Sequence, residues 1–323
     1  MKTLKTIFVL LAIAMALPGF AQQNANKTTP PAAKAVVKKN IGLQLYSLRG
    51  DIGKNSENID AVISKVGKMG YKYVEAANYK DGKFYGLTPE EFKAKLAAAG
   101  MFALSSHTGH PLDSVISKTN WDKVWAWWDQ CIADHKAAGM KFIVTPSMPI
   151  PETLEDLQAY CDYYNKIGEK CEAAGLKFGY HNHHQEFEKK YLDGTKTTFT
   201  RPDGKVIEKN NEIAMYDYMI AHTDPSKVFF EMDVYWTMMG QRSPVELFKK
   251  NPGRFLVLHI KDEKELGESG MVGFDAIFNN IATAGTKYLI VEVERYDLPP
   301  FESVEKSLNY LNKAPFVKMN YSK

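Results

Sequence analysis

The stretch FLVLHIKDE, residues 255–263, is an apolar run that leads into a histidine, and it is one of four similar runs that decide the fold. The others are KFGYHNHHQEF (177–187), VFFEMDVYW (228–236) and YLIVEVERY (288–296). Each carries, near its end, a residue that can bind a metal ion or move a proton. Because helix-like segments separate the runs, they are typical of parallel strands in βα units. The pattern predicts a (β/α)8 barrel, in which the strand ends meet at the catalytic face.

Four further strand candidates precede these runs and bring the count to eight. Glycines end the helix-like segments between them, at Gly70, Gly100, Gly139 and Gly175, as a left-handed cap would. The alternation predicts one α/β domain, a TIM barrel over residues 41–320. The additional strand candidates are NIGLQLYSL (40–48), YKYVEAA (71–77), MFALSSH (101–107) and KFIVTPS (141–147).

Residues 189–211 interrupt this alternation with a polar segment that contains two Asp-Gly pairs. Such pairs are typical of hairpin turns. We therefore expect an inserted β-hairpin on the loop after strand five. Because that loop lies on the catalytic face, we expect the insert to shape the pocket, and a solvated excursion without a role is the alternative.

The first 21 residues differ in character from the rest of the chain. Two lysines precede an apolar run at 7–17, and Pro-Gly-Phe-Ala follows at 18–21. A basic start, an apolar centre and small residues before the cleavage point are typical of a secretory signal peptide. We therefore expect residues 1–21 to be a signal peptide, residues 22–40 to be a disordered linker, and the mature protein to be periplasmic or secreted.

Charge and composition narrow the range of partners. The sequence has 41 basic and 38 acidic residues, and two of the lysines lie in the predicted signal peptide. The mature chain would therefore have 41 − 2 = 39 basic residues and a formal charge of +1. This balance gives no reason to expect a nucleic acid partner. The apolar run at 7–17 is shorter than the roughly 20 residues that span a bilayer, so we expect no membrane anchor. The three cysteines do not indicate a disulfide framework.

Four residues at the ends of strands five to eight are the predicted metal ligands: His181, Asp233, His259 and Glu292. Two imidazoles and two carboxylates suit a divalent metal such as Mn²⁺, Mg²⁺, Co²⁺ or Zn²⁺ better than thiophilic metals. Three of these residues also have a structural alternative. Asp233 would suit the N-cap of the next helix, His259 a hydrogen-bonded core position, and Glu292 an ion-pair network.

Three residues are candidates for proton transfer. Lys261 lies two residues after His259 and Glu294 two residues after Glu292, so each shares the inward face of its strand. Glu186 lies in the loop after strand five and could fold back over the site. Further residues near strand ends are expected to bind substrate: Gln44, Glu75, His107, His183 and Trp236.

The segments YHNHHQEF, FFEMDVYW, LHIKDE and LIVEVE, with IGLQLYSLR near the start, resemble the sugar phosphate isomerase/epimerase family of xylose isomerase-like TIM barrels. The resemblance covers residues 41–313 and implies a divalent metal held by Glu, Asp, His and Glu from strands five to eight. Asp233, His259 and Glu292 match the last three positions. Where many members have Glu-Asn-His, this chain has His-Asn-His at 181–183, so either His181 or Glu186 supplies the fourth ligand.

The resemblance implies a divalent-metal-dependent sugar isomerase or epimerase, or a keto-sugar lyase, acting on a small sugar or keto-sugar through an enediolate, and the signal peptide predicts that this enzyme is exported. One alternative is a carbohydrate-binding barrel without catalysis, because a shared fold does not guarantee a shared activity. Another is a phosphodiesterase similar to endonuclease IV. The near-neutral charge and the export signal disfavour that alternative.

Overall fold

The computed structural model describes residues 38–322. The predicted signal peptide, 1–21, and most of the predicted linker, 22–40, lie outside the described residues. The end of that linker is packed against the domain. Lys39 is buried, and its ammonium donates hydrogen bonds to the carbonyl oxygens of Leu311 at 2.7 Å and Ala314 at 2.6 Å.

Eight parallel strands, numbered β1–β8 in chain order, form the central sheet, and their order is β3-β2-β1-β8-β7-β6-β5-β4. The two outer strands of this order also meet, because His107 forms a parallel bridge with Val144 and the amide of Lys141 donates to Leu104 O at 2.9 Å. The predicted TIM barrel is therefore confirmed. The strands are Gly42–Gln44, Tyr73–Ala76, Phe102–Ser106, Phe142–Thr145, Lys177–His181, Val228–Asp233, Val257–Ile260 and Tyr288–Val291.

Eight longer helices, numbered α1–α8, surround the barrel. Thr88 opens α2 with a capping box to Glu91, and Gly70 and Gly175 end α1 and α4 in the left-handed conformation that glycine adopts without strain. In the described part of the chain these helices are Ile59–Met69, Pro89–Ala98, Trp121–Ala137, Leu154–Ala174, Met215–His222, Pro244–Lys250, Phe274–Ala284 and Pro300–Lys313. Shorter helical turns are Leu45–Leu48, Arg49–Ile52, Ile116–Lys118, Gln185–Phe187 and Val234–Met239. No helix within residues 38–322 is both long and apolar enough to cross a bilayer.

The first strand is shorter than the sequence predicts. The pattern at 40–48 indicates a strand throughout, but β1 ends at Gln44 and Leu45–Leu48 form a 3₁₀ helix. The cause is local, because the side-chain oxygen of Gln44 accepts a hydrogen bond from the amide of Tyr46 at 3.0 Å and turns the chain. This turn directs Tyr46 towards the mouth of the barrel.

Two antiparallel strands, Lys189–Thr200 and Val206–Ala214, occupy the loop after β5, where the polar insert lies. The hairpin is anchored beside the β4 loop, because the hydroxyl of Tyr191 donates to the carbonyl of Pro151 at 2.6 Å. Among the described residues, those of the hairpin do not line the cavity at the barrel mouth. The expectation that the insert shapes this cavity is not met by this arrangement.

The barrel interior is layered from aromatic to charged. Tyr73, Phe142 and Tyr288 pack edge to face near the amino ends of their strands, with ring centroids 5.5–5.6 Å apart. Because side chains alternate along a strand, the residue two positions after Tyr73 faces inward above it, and this residue is Glu75. The aromatic layer therefore closes one end of the barrel and leaves the charged layer at the other.

Gly168 lies where α4 comes close to the loop that precedes β6. A methyl group at this position would lie 2.4 Å from the carbonyl oxygen of Lys227, and backbone cannot move aside cheaply. We expect Gly168→Ala to lower the free energy of unfolding by about 1–3 kcal/mol, as overpacking does. Gly50→Ala, which meets no atom within 4 Å, is the control and should be neutral or slightly stabilising. Urea denaturation of both variants measures this, and equal stabilities would contradict the packing.

His135 gives the fold a pH dependence that can be measured. Its ring contacts Cys131 O at 2.7 Å and the hydroxyl of Ser106, and burial lowers its pKa from 6.5 to about 4. The unfolded chain therefore binds a proton more readily, and stability falls as the pH drops from about 6.5 towards 4. The loss at the acid end is about 3 kcal/mol.

We expect His135→Gln to show a shallower decline in unfolding free energy between pH 6.5 and 4.5 than the natural protein. The exposed His222→Gln is the matched control and should keep the natural slope. Parallel slopes for all three proteins would refute the assignment to His135.

Candidate functional site

Four side chains from the carboxyl ends of β5–β8 converge at the mouth of the barrel: His181, Asp233, His259 and Glu292. One potential ligand atom of each lies within 4.8 Å of those of the other three. None of the four is more than 4% exposed. Strand register explains the convergence, because Asp233 on β6 lies directly beside His259 on β7. We refer to these four residues as the ligand cluster.

Asp233 combines a structural role with a free oxygen atom. Its Oδ1 accepts a hydrogen bond from the amide of Trp236 at 2.8 Å and so caps the helix Val234–Met239. Its Oδ2 is buried and has no partner among the described residues. Asn182 holds the backbone in place, since its side-chain oxygen accepts from the amide of Asp233 at 3.2 Å. Burial raises the pKa of Asp233 to about 7.

His181 also carries a buried atom without a hydrogen-bond partner in the described chain, its Nδ1. Burial, followed by the neighbouring rings of His259 and His107, lowers the pKa of His181 well below its usual value. The imidazole is therefore neutral, which is the form that binds metals. Buried polar atoms normally have partners. Two such atoms in a cluster of nitrogen and oxygen donors fit a divalent cation.

Two more carboxylates lie in the barrel beside the ligand cluster, and we call Glu75 and Glu231 the carboxylate floor. Both are fully buried. His107 Nε2 lies 2.7 Å from Glu231 Oε2 and 3.0 Å from Glu75 Oε1, and His259 Nε2 lies 2.7 Å from Glu75 Oε1. Burial lowers the pKa of a histidine, but the two carboxylates outweigh it and raise that of His107 to about 10.

The two glutamates of the carboxylate floor differ in the pKa of their carboxyl groups. Burial raises the pKa of Glu231 to about 7, and the nearby charge of Glu75 adds to this. Burial also acts on Glu75, but contacts with His107 and His259 outweigh it and hold the pKa of Glu75 below its usual range. Glu75 therefore ionises more readily than Glu231.

A cavity of about 250 Å³ opens above the ligand cluster. Of the predicted substrate-binding residues, His107 and His183 line it. Gln44 and Glu75 do not, because both are fully buried and hydrogen-bonded to each other at 2.8 Å. The complete lining is Tyr46, Ala77, His107, Pro146, His181, His183, Glu292 and Glu294.

Lys261 connects the ligand cluster to the cavity wall. Its ammonium lies 2.6 Å from Glu294 Oε2 and 3.1 Å from Glu292 Oε2, and 5.2 Å above the ring of Trp236. Burial lowers the pKa of a lysine, but the carboxylates outweigh it and raise that of Lys261. Lys261 is therefore a charged donor in this arrangement. Trp236 also packs against His183, with ring centroids 5.7 Å apart.

Glu186 is directed away from the ligand cluster. Its two oxygens accept hydrogen bonds from the hydroxyl of Tyr180 at 2.9 Å and from the amide of His183 at 3.1 Å. Among the described residues, the groups of potential ligand atoms include His181 and not Glu186. The structure thus places the histidine at the position where the sequence left two alternatives.

Glu231 is the residue that the sequence-based site omits. Its position two residues before Asp233 gives the same inward face, and this alternation is a signal that could have identified it. What the sequence does not reveal is the contact with His107, because that contact joins β3 to β6 across the barrel interior.

Known proteins resemble this chain over most of its length. The family model of the xylose isomerase-like TIM barrel matches residues 63–314. A sugar phosphate isomerase/epimerase from Parabacteroides distasonis is 38% identical, and its crystal structure covers 87% of this chain and 100% of its own with a TM-score of 0.74.

Two more distant relatives carry names of specific enzymes. Inosose dehydratase of Geobacillus kaustophilus is 23% identical over 63% of this chain and 61% of its own length. A D-allulose 3-epimerase from Methylomonas in complex with D-allulose shares the fold, with 13% identity, a TM-score of 0.59 and coverage of 86% of this chain and 98% of its own. The family model and the Parabacteroides distasonis structure confirm the resemblance expected from the sequence. The chain belongs to the xylose isomerase-like TIM barrel family.

Proposed function

We propose that this protein is a divalent-metal-dependent enzyme that moves a proton next to the carbonyl group of a sugar or keto-sugar, as an isomerase, an epimerase or a lyase. The observation that carries the proposal is the ligand cluster, in which four buried nitrogen and oxygen donors converge and two of their atoms have no partner in the described chain. The relatives named above are an isomerase/epimerase, an epimerase and a dehydratase, which supports this class of chemistry.

His181, Asp233, His259 and Glu292 would hold the metal. When bound, a divalent cation such as Mn²⁺, Mg²⁺, Co²⁺ or Zn²⁺ supplies Lewis acidity that polarises a carbonyl oxygen and favours an enediolate. A carbonyl placed in the cavity would be polarised by the cation that these four residues hold, because His181 and Glu292 line the cavity.

Glu294 is the proposed base. It lines the cavity, its side chain is 26% exposed, and its Oε2 is held by the ammonium of Lys261 at 2.6 Å. A carboxylate within reach of the substrate carbon can remove a proton and return it. Lys261 orients this carboxylate, and His183, which also lines the cavity, can exchange a proton with a substrate hydroxyl.

The cavity suits an unphosphorylated, sugar-sized substrate. Within the part of the chain that the structure describes, its lining has imidazoles, carboxylates and a phenol but no arginine or lysine. Phosphate groups are usually bound by arginine or lysine, so this lining favours a neutral sugar. An exported location, inferred from residues 1–21, is consistent with such a substrate.

Exchange of carbon-bound hydrogen tests this function directly. Protein loaded with Mn²⁺ is incubated in D₂O with a panel of ketoses and keto-glycosides, and deuterium at carbon is followed by NMR. We expect exchange with at least one sugar and a loss of about 100-fold or more in Glu294→Gln, the usual contribution of a general base.

The matched control for this experiment is Glu263→Gln, a half-exposed glutamate in the loop after β7. It should exchange at the natural rate. Binding of sugar without exchange, with every metal tried, would contradict an enzyme and favour a carbohydrate-binding barrel.

Metal binding should stabilise the fold. At a Mn²⁺ concentration 100-fold above the dissociation constant, we expect a gain of about 2.7 kcal/mol and a rise in Tm of about 4 °C. Asp233→Asn should lose most of this rise, while the exposed Asp113→Asn should keep it. Differential scanning calorimetry with and without a chelator measures the effect, and an equal rise in both variants would exclude Asp233 as a ligand.

A further inference from the structure

Glu75 is a buried carboxylate whose contacts go entirely to other side chains. Gln44 Nε2 donates to its Oε1 at 2.8 Å, and Ser105 Oγ donates to its Oε2 at 2.6 Å. His259 Nε2 lies 2.7 Å from the same Oε1, and His107 Nε2 lies 3.0 Å from it. Neighbours on both sides therefore fix this carboxylate.

His259 lies between Glu75 and the ligand cluster and turns a different nitrogen to each. Its Nε2 is 2.7 Å from Glu75 Oε1, whereas its Nδ1 is 3.3 Å from Glu292 Oε2. The two nitrogens are on different edges of the ring. With Nε2 protonated against Glu75, loss of the proton on Nδ1 would leave the lone pair of Nδ1 directed at the ligand cluster.

We infer that Glu75 is a positioning residue that accepts a hydrogen bond from the Nε2–H group of His259 and thereby presents Nδ1 to a divalent cation. The inference rests on the proposed function, because it assumes that the ligand cluster binds a metal. It assigns Glu75 to the support of a ligand rather than to the substrate. Gln44 and Ser105 share this role indirectly, since they hold the carboxylate against His259.

Physical reasons favour this assignment over a substrate contact. Glu75 has no exposed surface, so a sugar cannot reach it without displacing His107 or His259. A carboxylate that accepts the second N–H of a metal-bound imidazole fixes the ring and strengthens its basicity, and its loss typically weakens metal affinity 10- to 100-fold. A carboxylate that served only to fill space would not affect affinity in this way.

Isothermal titration with Mn²⁺ tests the inference on the full chain. We expect Glu75→Gln to bind Mn²⁺ 10- to 100-fold more weakly than the natural protein. Glu265→Gln is the matched control, because Glu265 is also buried and accepts hydrogen bonds from Ser303 and Asp297, outside the ligand cluster. This control should bind Mn²⁺ with the natural affinity.

A second measurement does not require any variant to fold. In natural protein loaded with Zn²⁺, ¹⁵N NMR of the histidine rings should show His259 with its proton on Nε2 and the metal on Nδ1. Zinc on Nε2, or an affinity of Glu75→Gln within twofold of natural, would overturn the role of Glu75 and leave the proposed function standing. Absence of Mn²⁺ and Zn²⁺ binding by the natural protein would overturn both.

Discussion

Burial of negative charge is the constraint on which this structure depends. Four carboxylates, those of Glu75, Glu231, Asp233 and Glu292, lie inside the barrel and are at most 4% exposed. A buried carboxylate is costly unless it is paired or bound to a cation. Glu75, Glu231 and Glu292 each have one oxygen in contact with the imidazole of His107 or His259 or with the ammonium of Lys261. Oδ2 of Asp233 and Oε1 of Glu231 have no hydrogen-bond partner among the described residues. One carboxylate oxygen therefore lacks a partner in the ligand cluster, and another lacks one in the carboxylate floor beside it.

The order of layers in the barrel follows from this constraint. Aromatic rings fill the amino end of the barrel, and the charged residues lie two and four positions further along the same strands. β6 shows the order within one strand, because Phe229, Glu231 and Asp233 all face inward. Water is kept from one side of the charges, while the mouth on the other side stays open to a substrate. A site of this kind combines strong electrostatics with access, as metal-assisted proton transfer requires.

The sequence predicts the part of the site that depends on local pattern. Asp233, His259 and Glu292 end apolar runs, and the rule that parallel strands end at one face brings them together. Contacts that cross the barrel are not predictable in this way. Glu75 lies beneath His259 because of register and packing between distant strands. The position of Glu186 depends on the fold of the loop after β5, where the hydroxyl of Tyr180 binds its carboxylate. The sequence therefore identifies candidate ligands better than it separates substrate contacts from buried supports.

The central claim is that one divalent cation is bound jointly by His181, Asp233, His259 and Glu292. Anomalous diffraction from a crystal grown with Zn²⁺ is the most direct measurement. The account predicts one ion with a nitrogen or oxygen atom of each residue about 2.0–2.2 Å away. An ion bound elsewhere in the chain, or one that contacts fewer than three of these side chains, would contradict the account.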